Sequence, residues 1–171
     1  MTTRLDIIAG MLIRDAELSD LAAIVDIYNH AIGHTVPTFD LEPTSVDARR
    51  EWFRHFEPEH PLLVAEHDKS VVGFAYYLPY RTRPGYRTTK ECTVYVAHDC
   101  HAVGIGSALY TELITRARQN GVHALLGVIG GDNPASVALH QKFGFQEVGR
   151  LREVGRKFDQ WIDTPIFELL L

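Results

Sequence analysis

An α/β fold built on one mixed sheet with helices on both faces is what this sequence of 171 residues predicts, on three observations. Strand-like and helix-like patterns alternate from about Met11 to the end, strand runs outnumber helical ones, and the middle of the chain reads strand, helix, strand, helix. No Gly/Ser linker, charge block or internal repeat interrupts the alternation, so one domain over 11–171 is expected, preceded by an N-terminal extension over 1–10.

Each element has its own signal. A short strand is expected at 12–14. Ser19 and Asp20 can cap a helix whose apolar residues Leu21, Ile24, Val25, Tyr28 and Ile32 recur at helical spacing. The stretch 33–43 reads as a loop, after which Thr44 or Ser45 can cap a second helix through Ala48, Trp52, Phe53 and Phe56, closed by Pro58 and Pro61. Two β-rich runs, 62–66 and 71–80, flank the turn-like His67-Asp68-Lys69-Ser70 and predict an antiparallel hairpin. A polar loop with Arg81, Arg83 and Arg87 leads into a β run at 88–96. A helix over 104–120 carries Ile105, Leu109, Leu113 and Ala117 on one face and stops at Gly121. A buried-type strand at 124–129 precedes a helix that Asn133 can cap, Pro134 can open and Gly144 can end, and β runs at 146–154 and 161–171 complete the pattern.

Composition narrows the function. Hydrophobic residues make up 46% and charged residues 23%, as in ordinary soluble domains, which excludes disordered, collagen-like and coiled-coil classes. A net charge of -5 without a Lys/Arg cluster argues against nucleic acid and membrane as partners and leaves a small-molecule substrate. Two cysteines, Cys92 and Cys100, make no disulfide framework and point to a reducing cytoplasm. The apolar stretches at 7–13 and 71–78 fall far short of the roughly 18 to 20 residues that span a bilayer, and no targeting segment is read.

The most informative stretch is Glu91-Cys92-Thr93-Val94-Tyr95-Val96 followed by His101-Ala102-Val103-Gly104-Ile105-Gly106-Ser107 at a helix start. A strand feeding a glycine turn and a helix aims backbone N–H groups and the helix dipole at one spot, where a pyrophosphate fits. Gly104 and Gly106 would let the backbone approach it closely. Leu109 stands where a dinucleotide fingerprint needs its third glycine, and no Gly-Lys-Ser/Thr of a Walker loop follows. A second element follows a strand and ends in a Gly-Phe turn: Asn133-Pro134-Ala135-Ser136-Val137-Ala138-Leu139-His140-Gln141-Lys142-Phe143-Gly144-Phe145.

Period-2 alternation puts Glu91, Thr93 and Tyr95 on one face of the strand and Cys92, Val94 and Val96 on the other. A half-buried carboxylate such as Glu91 has its pKa raised by desolvation, toward useful basicity; otherwise Glu91 is a strand-edge carboxylate paired with a nearby arginine. His140 reads either as a proton donor or as a histidine packed beside Val137 and Phe143. Arg81, Arg83 and Arg87 offer paired donors to a carboxylate or form a solvated basic loop. Tyr110 reads as core and a reserve donor, and Phe39 and Trp161 as core or pocket walls. The spacing of His30 and His34, and the run His98-Asp99-Cys100-His101, lack a completing ligand set, so no metal is expected. Alternation also argues against an acyl-enzyme triad of Cys92, His140 and Glu91.

The ordered pair of motifs, His101-x-x-Gly104-x-Gly106 and then Asn133-x-x-Ser136-x-x-Leu139-His140-x-Lys142-x-Gly144-Phe145, resembles the acyl-CoA site of the GNAT acetyltransferase superfamily. Glu91-x-Thr93-Val94-Tyr95-Val96, Tyr86-Arg87-x-Thr89 and Lys157-Phe158-x-x-Trp161-x-Asp163 are similar to the phosphinothricin and methionine sulfoximine N-acetyltransferases. The resemblance implies a mostly antiparallel sheet of about seven strands, acetyl-CoA as co-substrate, no metal, and a homodimer. It implies direct attack by the amino group of a small amino acid or analogue on the thioester, with Glu91 and His140 catalytic. Val94, Tyr95, Val96, Ala102, Val103, Gly104, Ile105, Gly106, Ser107, Asn133 and Ser136 would hold acetyl-CoA. Arg81, Thr82, Arg83, Arg87, Glu91, Cys92 and Thr93 would hold the acceptor. His101 stands where the superfamily usually has Arg or Gln, and Val103 where a basic residue is frequent, so the pyrophosphate grip leans on backbone amides. Arg81-Thr82-Arg83 lacks the aromatic that some members carry there. Another amine, such as a protein N-terminus, or a CoA-binding module without turnover, are the alternatives.

Overall fold

A computed structural model of the chain describes residues 10–100 and 104–171. Seven strands form one sheet in the order β1-β2-β3-β4-β5-β7-β6. The strands are β1 Met11–Asp15, β2 Leu62–His67, β3 Ser70–Pro79, β4 Thr89–Val96, β5 Ala124–Val128, β6 Gln146–Lys157 and β7 Gln160–Leu170. Among the described residues the α-helices are α1 Leu21–His34, α2 Val46–Phe53, α3 Ile105–Gln119 and α4 Pro134–Lys142. Pairing is antiparallel for β1 with β2, β2 with β3, β5 with β7 and β6 with β7, and parallel for β4 with β5. The expected mixed, mostly antiparallel α/β architecture is present. By its internal contacts the chain forms two compact units, one ending its first segment at Asn29 and adding Thr44–Tyr77 and Thr93–Arg116, the other made of His30–Pro43, Leu78–Cys92 and Ala117–Leu171. The expected extension over 1–10 lies, except for Gly10, outside the described residues.

In the first unit, Leu21 and Ile24 of α1 pack with Leu62, Val64 and Phe74, and Trp52, Phe53 and Phe56 close over that cluster. Gly73 faces the other side of β3, where a Cβ would meet the Tyr95 carbonyl at 3.0 Å, Ile105 at 3.1 Å and Leu109 at 3.3 Å. Alternation along β3 therefore puts α1 on the Phe74 face and α3 on the Gly73 face, where a side chain would require α3 to give by a few tenths of an ångström. The β2–β3 hairpin turns on Asp68 and Lys69, with φ of 48° and 63°, the left-handed pair that suits the twist of two-residue hairpins.

Three boundaries differ from expectation. A short 3-10 turn, Leu18–Asp20, precedes α1, and Asp20 accepts from the Glu17 N–H at 2.7 Å and from Arg14 at 2.7 and 2.9 Å rather than capping forward. Arg14 also donates to Glu66 at 2.8 Å, so the carboxylate is held back toward β1 and β2. Ser45 caps α2 through the Ala48 N–H as expected, but the helix ends at Phe53. β6 runs on to Lys157 and turns into β7 through Phe158 and Asp159, at φ of 50° and 57°, where the sequence pattern stops the strand at 154.

Candidate functional site

In the first unit, β4 contributes 93–96 and α3 begins at Ile105. Gly104, at φ 100°, caps α3: its carbonyl accepts the Ala108 N–H at 3.0 Å. The positive φ explains a glycine at that place independently of any ligand, while Gly106, inside the first turn, leaves the helix entrance without a side chain. That entrance fits a pyrophosphate, since the helix start supplies N–H groups and dipole and no carboxylate stands in the first turn. His101, Ala102 and Val103 lie outside the described residues. The Tyr95 ring sits in an aromatic cluster, edge-on to Tyr28 at 5.3 Å and stacked on Phe74 at 5.3 Å. Tyr110 is fully buried core.

In the second unit, Glu91 is half-buried on β4, and burial raises its pKa while the Arg81 guanidinium partly offsets the rise. Arg81 reaches out over Tyr80, 5.0 Å from the ring centre, and Tyr80 meets Tyr86 edge-on at 5.6 Å. These residues line, with Thr82 and Arg83, an open hollow of about 580 Å³. Arg87 is exposed and does not line it; its N–H closes a 3-10 turn on the Pro84 carbonyl.

His140 is buried and rests on Gly127 of β5, in the space a Cβ there would need, with Phe145 and Phe167 at ring distances of 5.0 and 5.6 Å. Its Nδ1 lies 2.8 Å from the Ser136 carbonyl, which can only accept. The proton therefore sits on Nδ1, and Nε2 of the neutral ring is an acceptor. Burial lowers the His140 pKa, which favours that neutral form. Asn133 caps α4, its Oδ1 accepting from the Ser136 N–H at 3.0 Å.

Register fixes which faces these groups share. Cys92 pairs with Gly127 and Gly127 with Phe167, so Cys92 lies on the His140 face, while Glu91 pairs with Leu126 on the opposite face. The sheet thus separates Glu91 from His140, which the sequence could not show. Cys92, buried, donates its thiol to the Leu126 carbonyl at 3.3 Å and stands away from the acceptor side to which the resemblance assigned it. Trp161 is 62% exposed, with Arg156 5.5 Å from its ring centre, and is not among the residues that line the hollow at Arg81. His30 and His34 stack at 4.4 Å, and among the described residues no three His, Cys, Asp or Glu gather as metal ligands.

The sequence model of the acetyltransferase (GNAT) family matches residues 22–145. The chain belongs to this family. The acetyltransferase is 38% identical over 161 residues to the L-methionine sulfoximine/L-methionine sulfone acetyltransferase of Pseudomonas aeruginosa, covering 93% of this chain and 94% of that one. Its structure superimposes with TM-score 0.91 on a ribosomal-protein-alanine N-acetyltransferase from Brucella melitensis, at 40% identity over 94% of this chain and 99% of that one. It superimposes equally, at 0.91, on a phosphinothricin acetyltransferase from Sinorhizobium meliloti solved with acetyl-CoA, at 32% identity over 95% and 89% of the two chains. No helix among the described residues of the acetyltransferase is long and apolar enough to cross a membrane.

Proposed function

We propose that this acetyltransferase moves the acetyl group of acetyl-CoA to the amino group of a small amino acid or analogue of the methionine sulfoximine or phosphinothricin type. The observation that carries the reading is Glu91: a half-buried carboxylate, made more basic by burial, within electrostatic reach of Arg81 in a loop hollow suited to a carboxylate. The activities for which the relatives from Pseudomonas aeruginosa and Sinorhizobium meliloti are named support it.

An ammonium must lose a proton before its nitrogen has a lone pair. Glu91 takes that proton, directly or through a water; the nitrogen attacks the thioester carbonyl, the C–S bond breaks and the thiolate leaves. His140, buried on the other sheet face with Nδ1–H spent on Ser136 and Nε2 against Gly127, seats α4 on β5, and the departing thiolate takes up the second proton that the nitrogen sheds as the amide forms. The α3 entrance, with Gly104, Ile105, Gly106 and Ser107, and Ala102 and Val103 before it, holds the pyrophosphate, with Val94, Tyr95 and Val96 lending backbone groups and Asn133 and Ser136 lending α4. Arg81, Thr82 and Arg83 meet the acceptor carboxylate, with Arg87, Thr93 and Cys92 outside that contact.

Residues 11–171 work as one domain, since β3 and β4 each contribute to both units. Cys92 and Cys100, neither of them in a disulfide, support a cytoplasmic setting. A homodimer is supported by the edge strand β6, which exposes Val148, Leu151 and Val154 at 55%, 48% and 56%; sedimentation checks it. The substrate reading is checked by turnover with methionine sulfoximine and phosphinothricin against their decarboxylated amines. The amino acids should react and the amines should not, because the amines leave a guanidinium without its charge-assisted partner. Equal rates would remove the carboxylate contact, and acetylation of alanine-starting peptides alone would favour the protein N-terminus.

A further inference from the structure

Among the described residues the mechanism leaves two buried charged groups unused, Asp20, which is paired with Arg14, and Lys157. Lys157, at the end of β6, is 3% exposed, and its ammonium donates to the Thr38 carbonyl at 2.8 Å. Burying an ammonium against one carbonyl and the Phe158 ring, 5.3 Å from Nζ, is costly, and the burial lowers the Lys157 pKa although Asp40 opposes the change. What this bond holds is the stretch 36–39 between α1 and α2. Three glycines make room for the same stretch: a Cβ on Gly130 would meet the Val36 carbonyl at 2.6 Å, one on Gly131 would meet Val36 Cγ2 at 2.8 Å, and one on Gly155 would enter the Phe39 ring.

Register shows which face the stretch covers. Glu91 pairs with Leu126, and two residues along β5 Val128 pairs with Ile166. Thr164 and Ile162 follow on that face of β7, Ile162 pairs with Gly155, and Lys157 is two residues beyond. The stretch therefore lies over the Glu91 face, opposite His140. Beneath it, Thr164 is 2% exposed and its Oγ1 has no hydrogen-bond partner. Phe39 is 39% exposed.

We infer that Lys157 is a positioning residue for the acceptor amino acid, acting through Thr38 to fix Phe39 over the face that carries Glu91. This rests on the amino-acid acetyltransferase reading. Lys157 touches no reacting atom; it holds the roof under which the amine approaches. Losing the ammonium frees the roof, so the acceptor is held less well while acetyl-CoA binding is untouched.

Steady-state kinetics with methionine sulfoximine and acetyl-CoA on the full chain test this. Lys157→Met should raise KM for the amine by about tenfold and leave KM for acetyl-CoA within about twofold, and Lys157→Arg should recover most of the loss. Gly155→Ala, which displaces the Phe39 ring with Lys157 intact, should give the same split and decides the matter if Lys157→Met does not fold. An unchanged amine KM in these variants, or both KM values rising together with a lowered Tm, would overturn the inference while leaving the amino-acid reading in place. A wild-type protein that turns over no amino acid would remove both.

Discussion

Glu91 is a carboxylate that folding makes harder to ionise, and this has a consequence for stability as well as for chemistry. Its folded pKa is raised, so the stability it lends belongs to the protonated form: present below the unfolded pKa, lost as pH rises through the folded one. At neutral pH the ionised carboxylate is a burden. Glu91→Gln should therefore raise Tm at about pH 7 to 8, and the advantage should vanish below about pH 4, where the wild-type group is protonated in both states. Thermal unfolding across that range reads it; a variant less stable than wild type at neutral pH would mean that the Arg81 contact outweighs burial. Gly127 makes a second test at this scale. A methyl there enters the His140 ring, so Gly127→Ala should cost about 1 to 3 kcal/mol, and the cost should shrink when His140→Ala is already present. Cys92, with its thiol on the Leu126 carbonyl, is expected to be dispensable: Cys92→Ala should keep turnover, and its complete loss would argue for an acyl-enzyme.

Among the elements, the α3 entrance carries the CoA assignment, and its two glycines are not equivalent probes. Gly104 needs φ 100°, so a valine there strains the backbone whether or not a phosphate binds. Gly106→Val is the clean variant: it should weaken acetyl-CoA binding by about tenfold or more with the fold retained, as a calorimetric titration shows. Elements of this kind were legible in the sequence because their signals are local. The β2–β3 turn follows from Asp68 and Lys69 between two β-rich runs, and the α4 cap from Asn133-Pro134. What escaped depends on partners far along the chain. Asp20 reads as a forward cap until Arg14, anchored on Glu66, is seen to hold it. The β6–β7 turn uses Phe158 and Asp159, two residues with side chains at positive φ, in place of a glycine that would have marked it. Lys157 stands in a recognisable motif, yet its partner Thr38 is 119 residues away. That Glu91 and His140 share a site motif but not a sheet face follows only from register, which no spacing reveals.

At the scale of the whole molecule, Glu91 and His140 stand on opposite faces of the sheet, and the proposed base is Glu91. The chemistry is tested most directly by the rate of thiol release from acetyl-CoA with methionine sulfoximine, measured for wild type and Glu91→Gln at saturating substrates across neutral pH. Glutamine keeps the shape and hydrogen-bonding capacity and removes only the basicity, so kcat should fall by ~10² to 10⁴ while acetyl-CoA affinity holds. A folded Glu91→Gln variant that retains near-full kcat would contradict the assignment and move the base elsewhere.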